Sequence, residues 1–202
     1  QAGMTGPVEA GLRRALARPA GPSSDFDLNP GIRPKPGAEL RQAAVLLPVW
    51  LGPAGPSMIL TKRASHLKHH PGQIAFPGGK VDPADAGPEA AALREAQEEI
   101  GLDPRRVQVV GALPPHETVT GFAVTPFVGL IRGEFIPTPE AGEVDEVFAV
   151  PLNHVLDPER FFVEHRLWMG VRRRYYAVPW GPYYIWGATA RILRGLADRA
   201  QE

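Results

Sequence analysis

The stretch Pro88-Glu89-Ala90-Ala91-Ala92-Leu93-Arg94-Glu95-Ala96-Gln97-Glu98-Glu99-Ile100-Gly101 decides how the rest of the chain reads. Pro88 suits the first position of a helix, Glu89 favours its positive end, and Gly101 suits the position just past its C-terminus. At about 100° per residue, Leu93, Ala96 and Ile100 cluster on one side of that helix. Glu95, Glu98 and Glu99 project from the other, within an arc of roughly 100°. Arg94 lies one helical turn before Glu98 and can pair with it. Three carboxylates at i, i+3 and i+4 repel one another, by a few tenths of a kcal/mol per exposed pair. One reading is a solvated acidic face. The other is a hard-cation site, in which converging oxygens hold Mg²⁺ or Mn²⁺ and a substrate phosphate completes the shell.

The loop upstream favours the second reading. It runs Gln73-Ile74-Ala75-Phe76-Pro77-Gly78-Gly79-Lys80-Val81-Asp82. Two glycines after a proline let the backbone turn sharply and come close to a ligand without a Cβ in the way. Further upstream, Lys62 and Arg63 follow a strand, and Lys68, His69, His70 and Lys80 lie nearby in sequence. Arg63 reads either as a surface salt-bridge partner or as a phosphate ligand, for which its planar fork is suited, and His69 and His70 either as exposed loop histidines or as ligand contacts.

These segments together resemble a known pattern. Gly79-x5-Asp85-x8-Arg94-Glu95-Ala96-x-Glu98-Glu99-x-Gly101-Leu102 is similar to the Nudix box, G-x5-E-x7-R-E-U-x-E-E-x-G-U. Asp85 stands where the general pattern has Glu, with one extra residue before Arg94. The departure gives Asp85 the weaker claim to a role and leaves the three glutamates in place. The run from Leu60 to Gly79, including Lys62-Arg63-Ala64-Ser65-His66-Leu67-Lys68-His69-His70-Pro71-Gly72-Gln73, resembles the signature of the coenzyme A pyrophosphatase subgroup. Further matches lie at Val119-Thr120-Gly121 through Pro126, at Glu143-Val144 through Leu152, and at Ile185-Trp186-Gly187-Ala188-Thr189-Ala190. The likeness spans roughly residues 40 to 195.

The resemblance implies an α/β fold of α+β type, a mixed β-sheet sandwiched between α-helices. It implies hydrolysis of the coenzyme A diphosphate to 3′,5′-ADP and 4′-phosphopantetheine, with Mg²⁺ or Mn²⁺ as cofactor. Glu95 and Glu99 become the primary metal ligands, Glu98 a third with a catalytic share, and the Gly79 carbonyl a backbone ligand. Arg94 orients a glutamate, and Lys62, Arg63, Lys68, His69, Gly78 and Lys80 are the substrate-binding candidates. Glu143 is the chosen general base, with Glu140, Glu146 and Glu117 as other candidates. Phe76, Phe122, Tyr183 and Trp186 are available to stack an adenine, or to fill the core. The alternatives are a Nudix diphosphatase for ADP-ribose, NADH or a dinucleoside polyphosphate, and a non-catalytic nucleotide-binding module, which would usually have lost the box glutamates.

Composition, with 44% hydrophobic residues, is ordinary for a soluble globular domain; it excludes several classes and names no function. Among 202 residues, Lys+Arg and Asp+Glu each number 22, so there is no basic excess to draw nucleic acid or an anionic membrane. The absence of cysteine excludes disulfides, thiolate metal sites and thiol nucleophiles. Gly 22 and Pro 23 exceed the roughly 12% average for the pair, which predicts many turns. Gln1-Ala2-Gly3-Met4 lacks the layout of a secretory signal, so a cytoplasmic location is expected. Residues 1–39 read as an N-terminal helix over Val8–Arg18 and a proline-rich connector with Pro19, Pro22, Pro30, Pro34 and Pro36. Residues 40–202 read as the catalytic domain. Strands are expected at Ala43–Leu47, Met58–Thr61, Val107–Leu113, Phe122–Ile131, Glu146–Val150, Phe161–Glu164 and Tyr175–Val178. A last helix is expected from Tyr184 to about Arg199. Pro48 points to a sheet edge or bulge, and Arg172-Arg173-Arg174 reads as a solvated turn. The oligomeric state is left open.

Overall fold

The computed structural model describes residues 5–32 and 36–201, so the readings placed on Gln1–Met4 and Pro34 lie outside it. The chain runs α1 (Thr5–Ala17), β1 (Ser23–Ser24), β2 (Arg41–Gly52), β3 (Gly55–Arg63), β4 (Ile74–Ala75), β5 (Gly78–Lys80), α2 (Pro88–Ile100), β6 (Val107–Ala112), β7 (His116–Glu117) and β8 (Phe122–Arg132). It continues with β9 (Val144–Pro151), α3 (Leu152–Val155), β10 (Phe162–Trp168), β11 (Val171–Ala177) and α4 (Gly187–Ala200). Strands β1 to β9 form one mixed sheet in which β2 and β8 pair in parallel, while β3 pairs antiparallel with β2, β4 and β9. This is the expected fold class.

The period-2 pattern of the central strands decides what covers each face. Ala44, Leu46 and Ile59 point to the side where α2 lays Ala91, Ala92, Ala96 and Ile100. Leu47, Val49, Met58 and Leu60 point to the other, against Leu12 and Ala15 of α1 and Ile192, Leu193 and Leu196 of α4. Each of these large side chains is almost fully buried, worth about 1.5–3 kcal/mol apiece. The sheet is thus held between helices, and α1 joins the same core.

Three local expectations change. Pro48 lies in the middle of a central strand. It falls where β5 pairing ends at Val45 and β3 pairing begins at Val49. Leu46, two residues earlier and so facing the same way, sends its N–H to Pro77. The missing N–H of Pro48 therefore points into a gap between partners. Arg172–Arg174 form part of β11 instead of a turn; the reversal is made by Met169 and Gly170, both at positive φ, which matches a tight hairpin. The last helix starts at Gly187, with Tyr183 and Trp186 in isolated bridges ahead of it.

The proline-rich connector is tied down by a buried histidine. His116 bonds Ser23 through Nδ1 and Asp25 through Nε2, each at 2.8 Å. Asp25 also accepts from the Val119 N–H. Within the connector the short strand β1 pairs in parallel with β7, regular structure that the prolines had argued against.

Candidate active site

Helix α2 ends in a left-handed Gly101 whose N–H goes to the Gln97 carbonyl, with that of Leu102 on Ala96, while the Glu99 and Ile100 carbonyls accept from Glu140 and Thr138. Its inner face is not purely apolar. Glu99 follows Ala96 inward and is 7% exposed, while Glu98, one residue away, keeps its side chain 58% exposed. The three glutamates therefore do not share one environment: Glu99 is buried, Glu95 is half-buried and Glu98 sits on the rim.

The glycine loop explains how buried carboxylates are tolerated. The Gly78 N–H donates to Glu99 Oε2 at 3.3 Å. A Cβ at Gly78 would lie 2.7 Å from Val45 Cα, and one at Gly79 would lie 2.6 Å from Glu95 Oε1. Both positions need glycine for close approach, one to β2 and one to the helix carboxylate. Glu143, in the turn before β9, completes the group: Glu95, Glu99 and Glu143 each offer an oxygen within 4.8 Å of the others. Such a set of hard oxygen donors fits a divalent cation of the Mg²⁺ class.

Electrostatics follow from this crowding. Burial first, then the charges of Glu95 and Glu143, push the Glu99 carboxyl up to about 8, although the Gly78 N–H and Arg63 oppose them. Burial, Glu98 and Glu143 also raise Glu95 above the ordinary carboxylate range, against the pull of Arg94. Charge that is costly here without a cation is charge that a cation would stabilise.

Arg94 holds the second layer. It donates to Asp85 through Nε at 2.8 Å and Nη2 at 3.0 Å, and to Glu95 and Glu98 through Nη1 at 3.3 Å each. The hydrogen bond from Arg94 keeps Asp85 below the usual carboxylate range, and the same bond raises Arg94 further. Asp85 is thus the anchor of the arginine, a role the altered box spacing had argued against.

The basic candidates divide. Strand β3 shifts register against β9 between Lys62 and Arg63, a bulge of the kind that re-aims side chains beside a site. Arg63 bonds the His69 carbonyl and its charge reaches Glu99. Lys62 lines a cleft of about 510 Å³ with Gln73, Ile74, Glu146, Tyr183, Tyr184 and Trp186. Lys68, His69 and Lys80 are exposed; Lys80 lies 5.9 Å from the Phe122 ring, which Arg41 covers at 4.1 Å. Phe76 is buried in the core. Glu140 gives its N–H to the Glu99 carbonyl, and Glu117 lies in β7 beside the connector. The sequence reading missed Tyr184 and the lining role of Glu146. The alternation along β9 and the aromatic cluster Trp180-Tyr183-Tyr184-Trp186 were the available signals.

A family model described as NUDIX domain matches residues 40–169. The chain belongs to the Nudix family. A Nudix hydrolase from Enterobacter sp. (strain 638), named "Uncharacterized Nudix hydrolase NudL", is 44% identical over 177 residues, covering 82% of this chain and 88% of that protein. Its namesake from Salmonella paratyphi B is 47% identical over 165 residues, covering 78% and 81%. In fold, the Nudix chain resembles the crystal structure of a MutT/nudix family protein from Enterococcus faecalis. There the TM-score is 0.51 and the identity 15%, over 85% of this chain and 66% of that one. The chain is a Nudix hydrolase. Among the described residues, no helix is long and apolar enough to cross a membrane.

Proposed function

We propose that this Nudix hydrolase cleaves the diphosphate bridge of coenzyme A or its derivatives in the cytoplasm. The products are 3′,5′-ADP and 4′-phosphopantetheine, or its acylated form. The observation that carries this reading is one junction. Arg63 pairs with Val144, next to Glu143 of the carboxylate group, while its neighbour Lys62 lines an aromatic-walled cleft of about 510 Å³. A cleft that size suits a substrate much larger than a phosphate, with one polyanionic portion and one less polar portion.

Glu95 and Glu99 would hold the divalent cation, Mg²⁺ or Mn²⁺, with the Gly79 carbonyl as a backbone ligand and Glu98 reached from the solvent side. Bound there, the cation supplies neutralisation of the diphosphate charge and a more acidic attacking water. Glu143 is the member of the carboxylate group most open to solvent. It accepts the proton of the water whose oxygen attacks phosphorus, while the bridging oxygen leaves with the bond's electron pair. Arg94 keeps Glu95 and Glu98 oriented. Lys62, Arg63, Lys68, His69 and Lys80 bind the phosphates, while the Gly78 N–H is taken up by Glu99.

The test is a panel of coenzyme A, acetyl-coenzyme A, dephospho-coenzyme A, ADP-ribose and NADH with Mg²⁺ or Mn²⁺, resolved by chromatography. Formation of 3′,5′-ADP with kcat/KM highest for coenzyme A or its thioester supports the reading. Equal or better turnover of ADP-ribose or NADH moves the chain to another Nudix substrate. No turnover of any member under either metal points to a binding module.

A further inference from the structure

Strand β10, Phe162-Val163-Glu164-His165-Arg166-Leu167-Trp168, is exposed along its whole length. Leu167 is 74% exposed and Phe162 57%, apolar surface that a free strand edge should not carry. The ribbon it forms with β11 is separate from the main sheet, and two strands alone are marginal in water.

One edge of that ribbon is already occupied. The Arg174 N–H donates to Asn29 Oδ1 at 2.8 Å, and the Arg174 carbonyl accepts from Asn29 Nδ2 at 2.9 Å. Arg174 therefore points its backbone groups away from its partner His165. In an antiparallel pair the facing residue does the same, so Val163, His165 and Leu167 turn their N–H and C=O groups to the open side of β10.

We propose that a second copy of this chain pairs antiparallel with β10 about a two-fold axis at His165. The strand is complementary to its own reverse in that register. Phe162 meets Trp168 of the second copy, Val163 meets Leu167, and Glu164 meets Arg166. The outward backbone groups also coincide: two hydrogen bonds form at the His165 pair and two at each Val163–Leu167 pair. The charges select this register over its neighbours. Centring the axis on Glu164 or on Arg166 keeps the hydrogen-bond phase but sets two like charges face to face. The result joins two ribbons into a four-stranded sheet and sets the exposed apolar side chains of β10 against one another across the strands.

Sedimentation equilibrium of the full chain reads this directly, with a species of twice the 21.9 kDa chain mass expected. Glu164→Arg or Arg166→Glu should weaken self-association about tenfold or more, since each places like charges opposite twice per dimer. Glu164→Arg with Arg166→Glu should restore it. His165→Pro removes the N–H on the axis without touching a bond to β11 and should yield monomer. A monomer at every concentration overturns the proposal. A dimer indifferent to the single swaps, to the double swap or to His165→Pro also overturns it.

Discussion

Arg94 and Asp85 are joined by two parallel hydrogen bonds, 2.8 and 3.0 Å, between a helix and the loop that leads into it. The Asp85 side chain is 7% exposed, and its Oδ2 also accepts from the Asp82 N–H at 2.8 Å. With the guanidinium fixed by Asp85, its Nη1 is left to hold Glu95 and Glu98. Asp85→Asn should therefore act at a distance. It leaves Glu95, Glu99 and Glu143 in place but loosens the arginine that orients the first of them. The expected outcome is a 10- to 100-fold loss, roughly, in metal affinity or kcat. Isothermal titration with Mn²⁺ and kinetics on the same samples would check it. Wild-type values for both would leave the pair a purely local tie.

The carboxylates should separate by mutation. Glu95→Gln and Glu99→Gln keep size and remove the charge that draws a hard cation, so both should raise the Mn²⁺ concentration for half-maximal activity. Glu143→Gln, if Glu143 serves as base, should lower kcat by about 10²–10⁴ with a smaller change in metal dependence. A metal shift equal to that of Glu99→Gln would make Glu143 a ligand instead. Glu98→Gln should be the mildest of the four, because that side chain is exposed and held by Arg94.

Much of the fold was legible in the chain. Helix α2 matches its Pro88 and Gly101 signals residue for residue, because both ends are set by backbone chemistry local to them. The depth of each glutamate was not legible. Helical spacing puts Glu95, Glu98 and Glu99 in one arc, but the approach of β5, paired to β2 at Val45↔Gly78, decides which of them is buried. Glu143 joins them only because β9 pairs with β3. Asp85 was discounted because linear spacing cannot register a loop that bulges by one residue and still delivers its carboxylate to Arg94. The arginine run of β11 misled for a similar reason: charge suggested a turn, whereas the turn is set by Met169 and Gly170.

The two loop glycines should not respond alike. At Gly78 a methyl group meets the backbone of β2, which cannot move without disturbing the sheet. Gly78→Ala should cost about 1–3 kcal/mol of stability by overpacking, read as a lower urea midpoint. At Gly79 the obstacle is the Glu95 carboxylate, the end of a rotatable side chain. Gly79→Ala should leave the urea midpoint nearly unchanged and impair metal binding, since relief of the clash displaces a carboxylate. Equal destabilisation by both would mean that Glu95 is as immobile as the sheet.

Glu99 makes stability without metal depend on pH in a direction opposite to that of most acidic groups. Its carboxyl is raised to about 8 from an ordinary 4.5, chiefly by burial. Below about pH 4.5 both folded and unfolded chains carry the proton. Between about 4.5 and 8 the folded chain keeps a proton that the unfolded chain has lost, so stability falls as pH rises. Above about 8 that loss is complete. Cation binding requires the ionised form, so metal affinity should increase over the same interval. Thermal melts in EDTA from pH 5 to 8.5 should show a decline in Tm for the wild type that is shallower in Glu99→Gln. Added Mn²⁺ should raise the wild-type Tm more at pH 8 than at pH 6. Parallel pH profiles for the two proteins in EDTA would show that Glu99 ionises normally and that burial is not what prepares this site for a cation.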